Sequence, residues 1–308
     1  MRPARVELAL LAAVPLLWGS AFVAIRAGLL AGASPFVFAE YRYVLATLVV
    51  TGAALASRQP RPERRAFVPA AVLGGIFLMG GYAGFLYWAE QFTSGGLASV
   101  LVSTVPLWTV LFAFPLLPGE RLRIVGWGGI VLGLAGVVVL FLPGLTTVHS
   151  REFPGLLAGV AAAASAAAGS VLLRRSGVRP SNLWNLSGEF GVASLVLLPL
   201  ALLTPGGLAF PVTPVTVGTL LYLALGSSVL GYGLYFHLLQ RTGPSHANVV
   251  AYLNPVVGLT VGLLLLGESV TAVELSGFGL IVLSVAVLQW ERQRPRPGGT
   301  RRDPAQAP

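Results

Sequence analysis

Ten stretches of about twenty residues, hardly interrupted by charge, follow one another from Val6 to Trp290, and a helix needs about that length to cross roughly 30 Å of hydrocarbon. Their expected bounds are Val6–Gly28, Pro35–Ala56, Phe67–Glu90, Gly96–Leu117, Leu122–Leu142, Phe153–Leu173, Asn182–Leu203, Val215–Gln240, Ser245–Leu266 and Val270–Trp290. Of 308 residues 55% are hydrophobic and only 10% charged, and the mean hydropathy of +0.80 exceeds what a water-soluble domain of this size reaches. Helices rather than a β-barrel are expected, because runs such as Gly129–Leu142 do not alternate as barrel strands do. The expected fold class is therefore an all-α integral membrane protein with ten spans. Arg2 and Arg5 before the first apolar run resemble a secretory leader, but nine further runs follow, so that run is read as a retained span.

The chain also repeats itself. Gln91-Phe92-Thr93, Ala98, Pro106 and Gly119-Glu120 return as Gln240-Arg241-Thr242, Ala247, Pro255 and Gly267-Glu268, with one residue deleted after the proline. Each half reads as one copy of a duplicated unit. Five spans per unit is an odd number, so the second copy must enter the bilayer upside down, as in inverted-repeat carriers. The expected division is a first repeat over 1–149, a second over 150–291, and a basic tail over 292–308 whose Pro, Arg, Gly and Gln content cannot bury itself.

A net charge of +9 could signal nucleic acid, but its distribution argues otherwise. All basic residues are Arg, with no Lys. With the amino terminus in the cytoplasm, every arginine falls on that side except Arg151 outside and Arg26 and Arg42 within spans. The excess of basic residues in cytoplasmic segments then makes both termini cytoplasmic. The tail reads as a segment near anionic lipid, with no nucleic-acid partner. Cysteine is absent, which excludes disulfides and thiolate metal sites. The longest internal connections, Ser57–Ala66, Pro143–Glu152 and Thr204–Pro214, are too short for a soluble domain, so any activity must lie among the helices.

Ionisable groups inside a bilayer cost several kcal/mol unless paired or wetted, which makes each one a functional candidate. Arg26, Glu40, Arg42, Glu90 and Glu268 fall in the outer half by linear depth. Arg26 with Glu40, and Arg42 with Glu90, are expected to form ion pairs there, acting either as a gate or as a static lock. Glu189 lies in the inner half with no basic residue level with it, and it suits either proton loading or a plain hydrogen-bonded role. Pro106 and Pro255 are expected to break the fourth and ninth spans. Ser99 and Ser103 share a face with Pro106, and Asn248 and Tyr252 share one with Pro255, so two polar stripes either converge on a central site or flank simple kinks. Trp18 sits mid-span beside Gly19-Ser20, and Tyr82, Trp88, Trp108, Tyr232 and Tyr235 can line an amphipathic pocket. His237 suits either a proton shuttle or, as is commoner near a span's inner end, an interfacial residue. Gly126, Gly129, Gly133 and Gly136 form a stripe suited to close helix packing, as does the Gly/Ala/Ser-rich sixth span.

With Trp18-Gly19-Ser20, the Tyr41-Arg42-Tyr43 stretch and the two proline helices each followed by Gly-Glu, the chain resembles the EamA type of the drug/metabolite transporter superfamily over about residues 6–291. The resemblance implies ten helices in two inverted five-helix repeats around a central cavity, exporting small metabolites, amino acids or drugs by alternating access. The chain departs from that symmetry where Trp18 aligns with the alanine run of the sixth span and Arg42 with Glu189.

The expected function is a secondary transporter of the inner membrane, with Trp18, Ser20, Tyr82, Ser103, Tyr232 and Tyr252 binding substrate. Arg26, Glu40, Arg42 and Glu189 are the coupling or gating residues. Protons are the candidate coupling ion, facilitated diffusion fits the same sequence, and a sensor or helper subunit without turnover is a third reading. Cofactors are not expected, since no phosphate-binding glycine loop carries a lysine, and His149, His237 and His246 are not at metal-ligand spacing from carboxylates, which also argues against an intramembrane enzyme. Neither substrate identity nor oligomeric state leaves a signal in the sequence.

Overall fold

In hydrocarbon no water competes for the backbone, so an apolar chain satisfies its N–H and C=O groups internally as helix. The computed structural model describes residues 3–117, 123–146, 152–177, 182–242 and 250–293. In chain order its helices are α1 Pro3–Leu30, α2 Pro35–Ala56, α3 Arg64–Ala89, α4 Gly95–Leu116, α5 Ile124–Thr146, α6 Glu152–Arg175, α7 Leu183–Leu202, α8 Pro214–Thr242, α9 Val250–Leu266 and α10 Ala272–Gln293. Among the described residues nine of these are long and apolar enough to cross a membrane, α9 is a shorter apolar helix of 17 residues, and there is no strand. Local sequence sets several starts. Ser94, Asn182 and Thr213 accept the backbone N–H three residues on, and Pro35 and Pro214 occupy first positions where a missing N–H costs nothing. Expected features at Gly119-Glu120, His149, Arg151, Ser245–Asn248 and the tail beyond Gln293 lie outside the described residues.

Three pairs of repeat-equivalent helices pack in opposite directions. In α2 and α7, Glu40 meets Ser194 while Thr51 meets Ser187. In α4 and α9, the N–H groups of Gly95 and Gly96 at the start of α4 bond the Glu268 carboxylate just past the end of α9, and Ser99 lies against Gly258. The α5–α10 seam is reciprocal as well as antiparallel. Gly129 lies against Leu288, and its repeat mate Gly277 lies against Leu140, the mate of Leu288; Gly133 with Ser284 and Gly136 with Ile281 form a second such exchange. Contacts in which i meets the copy of j while j meets the copy of i are the signature of a two-fold relation.

Two departures from ordinary helix also sit at matching places. In α3 the segment Ala70–Gly81 and in α8 the segment Tyr222–Leu230 are π-helical, and they end at repeat-equivalent residues. The N–H of Tyr82 reaches the carbonyl of Phe77 and that of Gly231 the carbonyl of Gly226, five residues back in each case. Wide turns of this kind are rare and concentrate at functional sites.

The prolines behave differently from each other. α4 is interrupted at Ser103-Thr104, directly before Pro106, whereas α9 runs unbroken from Val250 through Pro255. The expected break at Pro255 is therefore corrected: that proline removes the bond to the carbonyl of Ala251 without ending the helix. Pro106 stands near the start of its own segment, where no such bond is owed. α5 likewise continues through Pro143-Gly144, which sequence reading placed in a connection.

Candidate functional site

A cavity of about 160 Å³ lies among α1, α2, α3, α4, α6, α8 and α9, and so draws on both halves of the chain. Its wall is largely aromatic and aliphatic, including Trp18, Phe22, Tyr43, Tyr82 and Tyr232, with Arg42, Ser227 and Asn254 as polar members. That mixture, an apolar wall with a few convergent polar groups, is the usual make-up of a small-molecule site.

Arg42 is 7% exposed and stands seven residues from the start of α2, roughly 10 Å along the helix at 1.5 Å per residue. Its guanidinium donates from Nε to the Ser228 hydroxyl at 2.9 Å, from one terminal nitrogen to the Tyr87 hydroxyl at 3.2 Å, and from the other to the Ser227 hydroxyl at 3.4 Å. The Tyr43 ring lies 5.5 Å from the guanidinium carbon. All three hydrogen-bond partners are neutral. The π-helical segment of α8 supplies both serines, as successive residues.

Trp18 is locked rather than loosely packed. Its indole N–H donates to the Ser227 carbonyl at 3.0 Å, and its ring stacks obliquely on Tyr232 at 5.1 Å and Tyr235 at 5.0 Å. Gly231 makes room for it, since a Cβ there would sit 2.6 Å from the indole nitrogen. The Tyr232 hydroxyl points back to the Met79 sulfur at 3.3 Å.

Of the residues expected to bind substrate, Trp18, Tyr82 and Tyr232 converge on this cavity with Arg42. Ser20 is held by the Leu16 carbonyl and the Tyr222 hydroxyl, Ser103 donates to the Val100 carbonyl at 2.6 Å, and Tyr252 packs against a separate cluster with Leu97 and Ile281. Sequence reading missed Tyr87, Ser227, Ser228 and Asn254. The clue for the serines was a Gly-Ser-Ser run in an otherwise apolar span, and for Asn254 its place directly before Pro255.

The expected ion pairs do not form. Arg26 donates to the main-chain carbonyl of Glu90, and Glu40 accepts from Ser194 at 2.7 Å, leaving its second oxygen without a hydrogen-bond partner. Both Glu90 carboxylate oxygens are buried without a hydrogen-bond partner, although Arg26 and Arg42 act on Glu90 electrostatically. The reason is helical geometry: Glu40 and Arg42 are two positions apart, about 200° around α2, so one faces α7 while the other faces the cavity. Glu189 is 3% exposed, packs where Gly74 of α3 leaves room, and has one oxygen with no hydrogen-bond partner. His237 accepts from Arg241 at 2.9 Å near the end of α8.

A larger hollow of about 800 Å³ lies on the flank between α3, α6 and α7, lined almost wholly by apolar groups such as Phe85, Trp88 and Leu157. Phe85 and Leu157 are exposed there, so this hollow opens on the apolar periphery and lacks the polar groups that give a site selectivity. Among the described residues no cluster of three metal-ligand side chains occurs.

Comparison with known proteins matches this architecture twice along the chain. The model of the EamA-like transporter family fits residues 6–142 and again residues 153–290. The chain belongs to the EamA-like transporter family. It is 30% identical over 278 residues to the uncharacterized inner membrane transporter YedA of Escherichia coli K12, covering 90% of this chain and 88% of that protein. It is 31% identical over 297 residues to a probable amino-acid metabolite efflux pump of the same organism, covering 91% and 94%. One solved crystal structure aligns with a TM-score of 0.60 at 26% identity, covering 94% of this chain and 99% of that one. The EamA-type chain is thus a multi-pass membrane transporter and not an enzyme.

Proposed function

We propose that the protein exports small organic metabolites, such as amino acids and their relatives, across the inner membrane by alternating access, with both termini in the cytoplasm. The observation that carries this is the polar cavity itself. A buried guanidinium and an aromatic wall, assembled from helices of both halves, stand well inside a membrane bundle. Efflux is favoured by the relative named as an amino-acid metabolite efflux pump. The moving units would be 1–149 and 150–291, whose equivalent helices pack antiparallel. Trp18, Tyr82 and Tyr232 would contact the solute. Arg26 on the Glu90 carbonyl and Glu268 on the Gly95 and Gly96 N–H groups would close one end of the pathway, because these bonds tie α1, α3, α4 and the end of α9 together.

Glu189 is the proposed proton carrier, since its unpartnered oxygen and the lack of a contacting cation leave it free to exchange a proton. Reconstituted into liposomes, the full chain should accelerate counterflow of labelled metabolites, and an imposed pH gradient should change the rate. Equal rates with and without the gradient would remove proton coupling and leave facilitated diffusion. An absence of counterflow for every solute tried would overturn the carrier reading and favour a sensor.

A further inference from the structure

Arg42 is a buried cation with no anion in direct contact, although it acts on Glu90 electrostatically. Among the described residues no carboxylate oxygen contacts its guanidinium: Glu40 turns to Ser194, the Glu90 carboxylate oxygens accept no hydrogen bond, and Glu189 packs at Gly74. Buried arginines ordinarily take a carboxylate partner, because neutral hydroxyls satisfy the hydrogen bonds without balancing the charge. Three of the five N–H groups are occupied by Ser228, Tyr87 and Ser227, which leaves one on each terminal nitrogen. Two free donors on one buried guanidinium are groups from which a carboxylate accepts.

The rest of the cavity supports the same occupant. No acidic side chain lines it, so an ammonium group would find no counter-charge in the wall and would face the Arg42 cation. Its walls offer Trp18, Phe22, Tyr82 and Tyr232 to an apolar or aromatic body. Asn254 brings a buried side-chain oxygen with no hydrogen-bond partner, an acceptor available to a neutral N–H or O–H on the solute.

We propose that the cavity selects small organic monocarboxylates, with Arg42 supplying the missing counter-charge and the aromatic wall holding the apolar body. This rests on the carrier reading for its biological sense, but binding can be tested apart from transport. The full chain, purified in detergent, is titrated calorimetrically with three probes that share one body: phenylacetate, phenylacetamide and 2-phenylethylamine. Phenylacetate should bind at least tenfold more tightly than the amide, and the amine more weakly still. Arg42→Gln should reduce phenylacetate to the level of the amide, while Arg42→Lys, which keeps the charge but not the fork, should retain part of the preference. The ordering of the three probes on the unaltered protein needs no variant, so a misfolded Arg42→Gln leaves the proposal open to refutation.

Equal binding of the three probes, tightest binding of the amine, no binding of any, or an undiminished acid preference in a folded Arg42→Gln would each overturn the anion site. Protein-dependent flux of the three probes is then measured in liposomes. Acid-selective binding without flux keeps the anion site and defeats the carrier, whereas flux blind to charge defeats the anion site and keeps the carrier.

Discussion

The α5–α10 seam and the Arg42 cavity descend from the same duplication, yet one has kept its symmetry and the other has lost it. Along the seam the glycine contacts come in repeat-related twins, Gly129 with Leu288 answered by Gly277 with Leu140. In the cavity Arg42 occurs once and its aligned counterpart is Glu189, while Trp18 is answered by the alanines of α6. Packing tolerates reciprocity because both partners need the same small-against-large fit. Recognition does not, since a small solute presents one charged group and one body, and a site with two identical ends would suit neither. The paired contacts of the seam serve packing, whereas the charged and aromatic groups of the cavity are unpaired across the repeats.

The seam should respond most strongly to substitution. Gly136→Leu would drive a Cβ to 2.9 Å from the Gly277 carbonyl oxygen, a backbone atom that cannot step aside, and push α5 and α10 apart. Forced overpacking of this sort costs about 3 kcal/mol. The expected result is a marked fall in the unfolding midpoint of the detergent-solubilised protein; an unchanged midpoint would show that the seam is not the scaffold. Glu189, which packs at Gly74 and does not line the cavity, should respond in the opposite sense. Glu189→Gln keeps the size of the side chain and removes its titratable proton, so stability should move by less than about 1 kcal/mol. What should disappear is the response of counterflow to a pH gradient, and persistence of that response would clear Glu189 of the proton role.

Glu268 stands between the two regions. Its carboxylate joins the end of α9 to the first N–H groups of α4, where the helix dipole also favours a negative charge. Glu268→Ala should lower stability by about 1–2 kcal/mol, the usual worth of a charged cap. If it gates as well as braces, the counterflow rate will shift by more than the folded fraction does, which parallel unfolding and flux measurements separate.

The scaffold was far more legible in the sequence than the site. Hydropathy alone locates the helices, because twenty apolar residues have few alternatives in lipid, and the expected and observed bounds differ by only a few residues for most spans. The antiparallel pairing followed from an odd number of spans per repeat. The π-helical turns at Ala70–Gly81 and Tyr222–Leu230 left no comparable trace, since shifting a hydrogen bond by one residue does not change composition. The second of these segments carries Ser227 and Ser228, so the partners of the buried arginine in the cavity could not be read even though the arginine could. Linear depth also misled for Arg26 and Glu40: two groups at one level meet only if their helical faces agree.

Ser103 gives the smallest expected effect and a sharp test of that lesson. Its sequence position, on the Pro106 face and directly at the break in α4, made it a candidate for substrate contact. Its hydroxyl, however, donates to the Val100 carbonyl at 2.6 Å, and its neighbour Val102 rather than Ser103 lines the cavity. A hydroxyl satisfied within its own turn has its donor already engaged. Ser103→Ala should therefore change counterflow less than twofold and stability by under about 0.5 kcal/mol, the range of substitutions away from packed or charged features. A tenfold loss of flux would mean that α4 rotates during transport and carries Ser103 into the pathway, making the break before Pro106 a hinge rather than a kink.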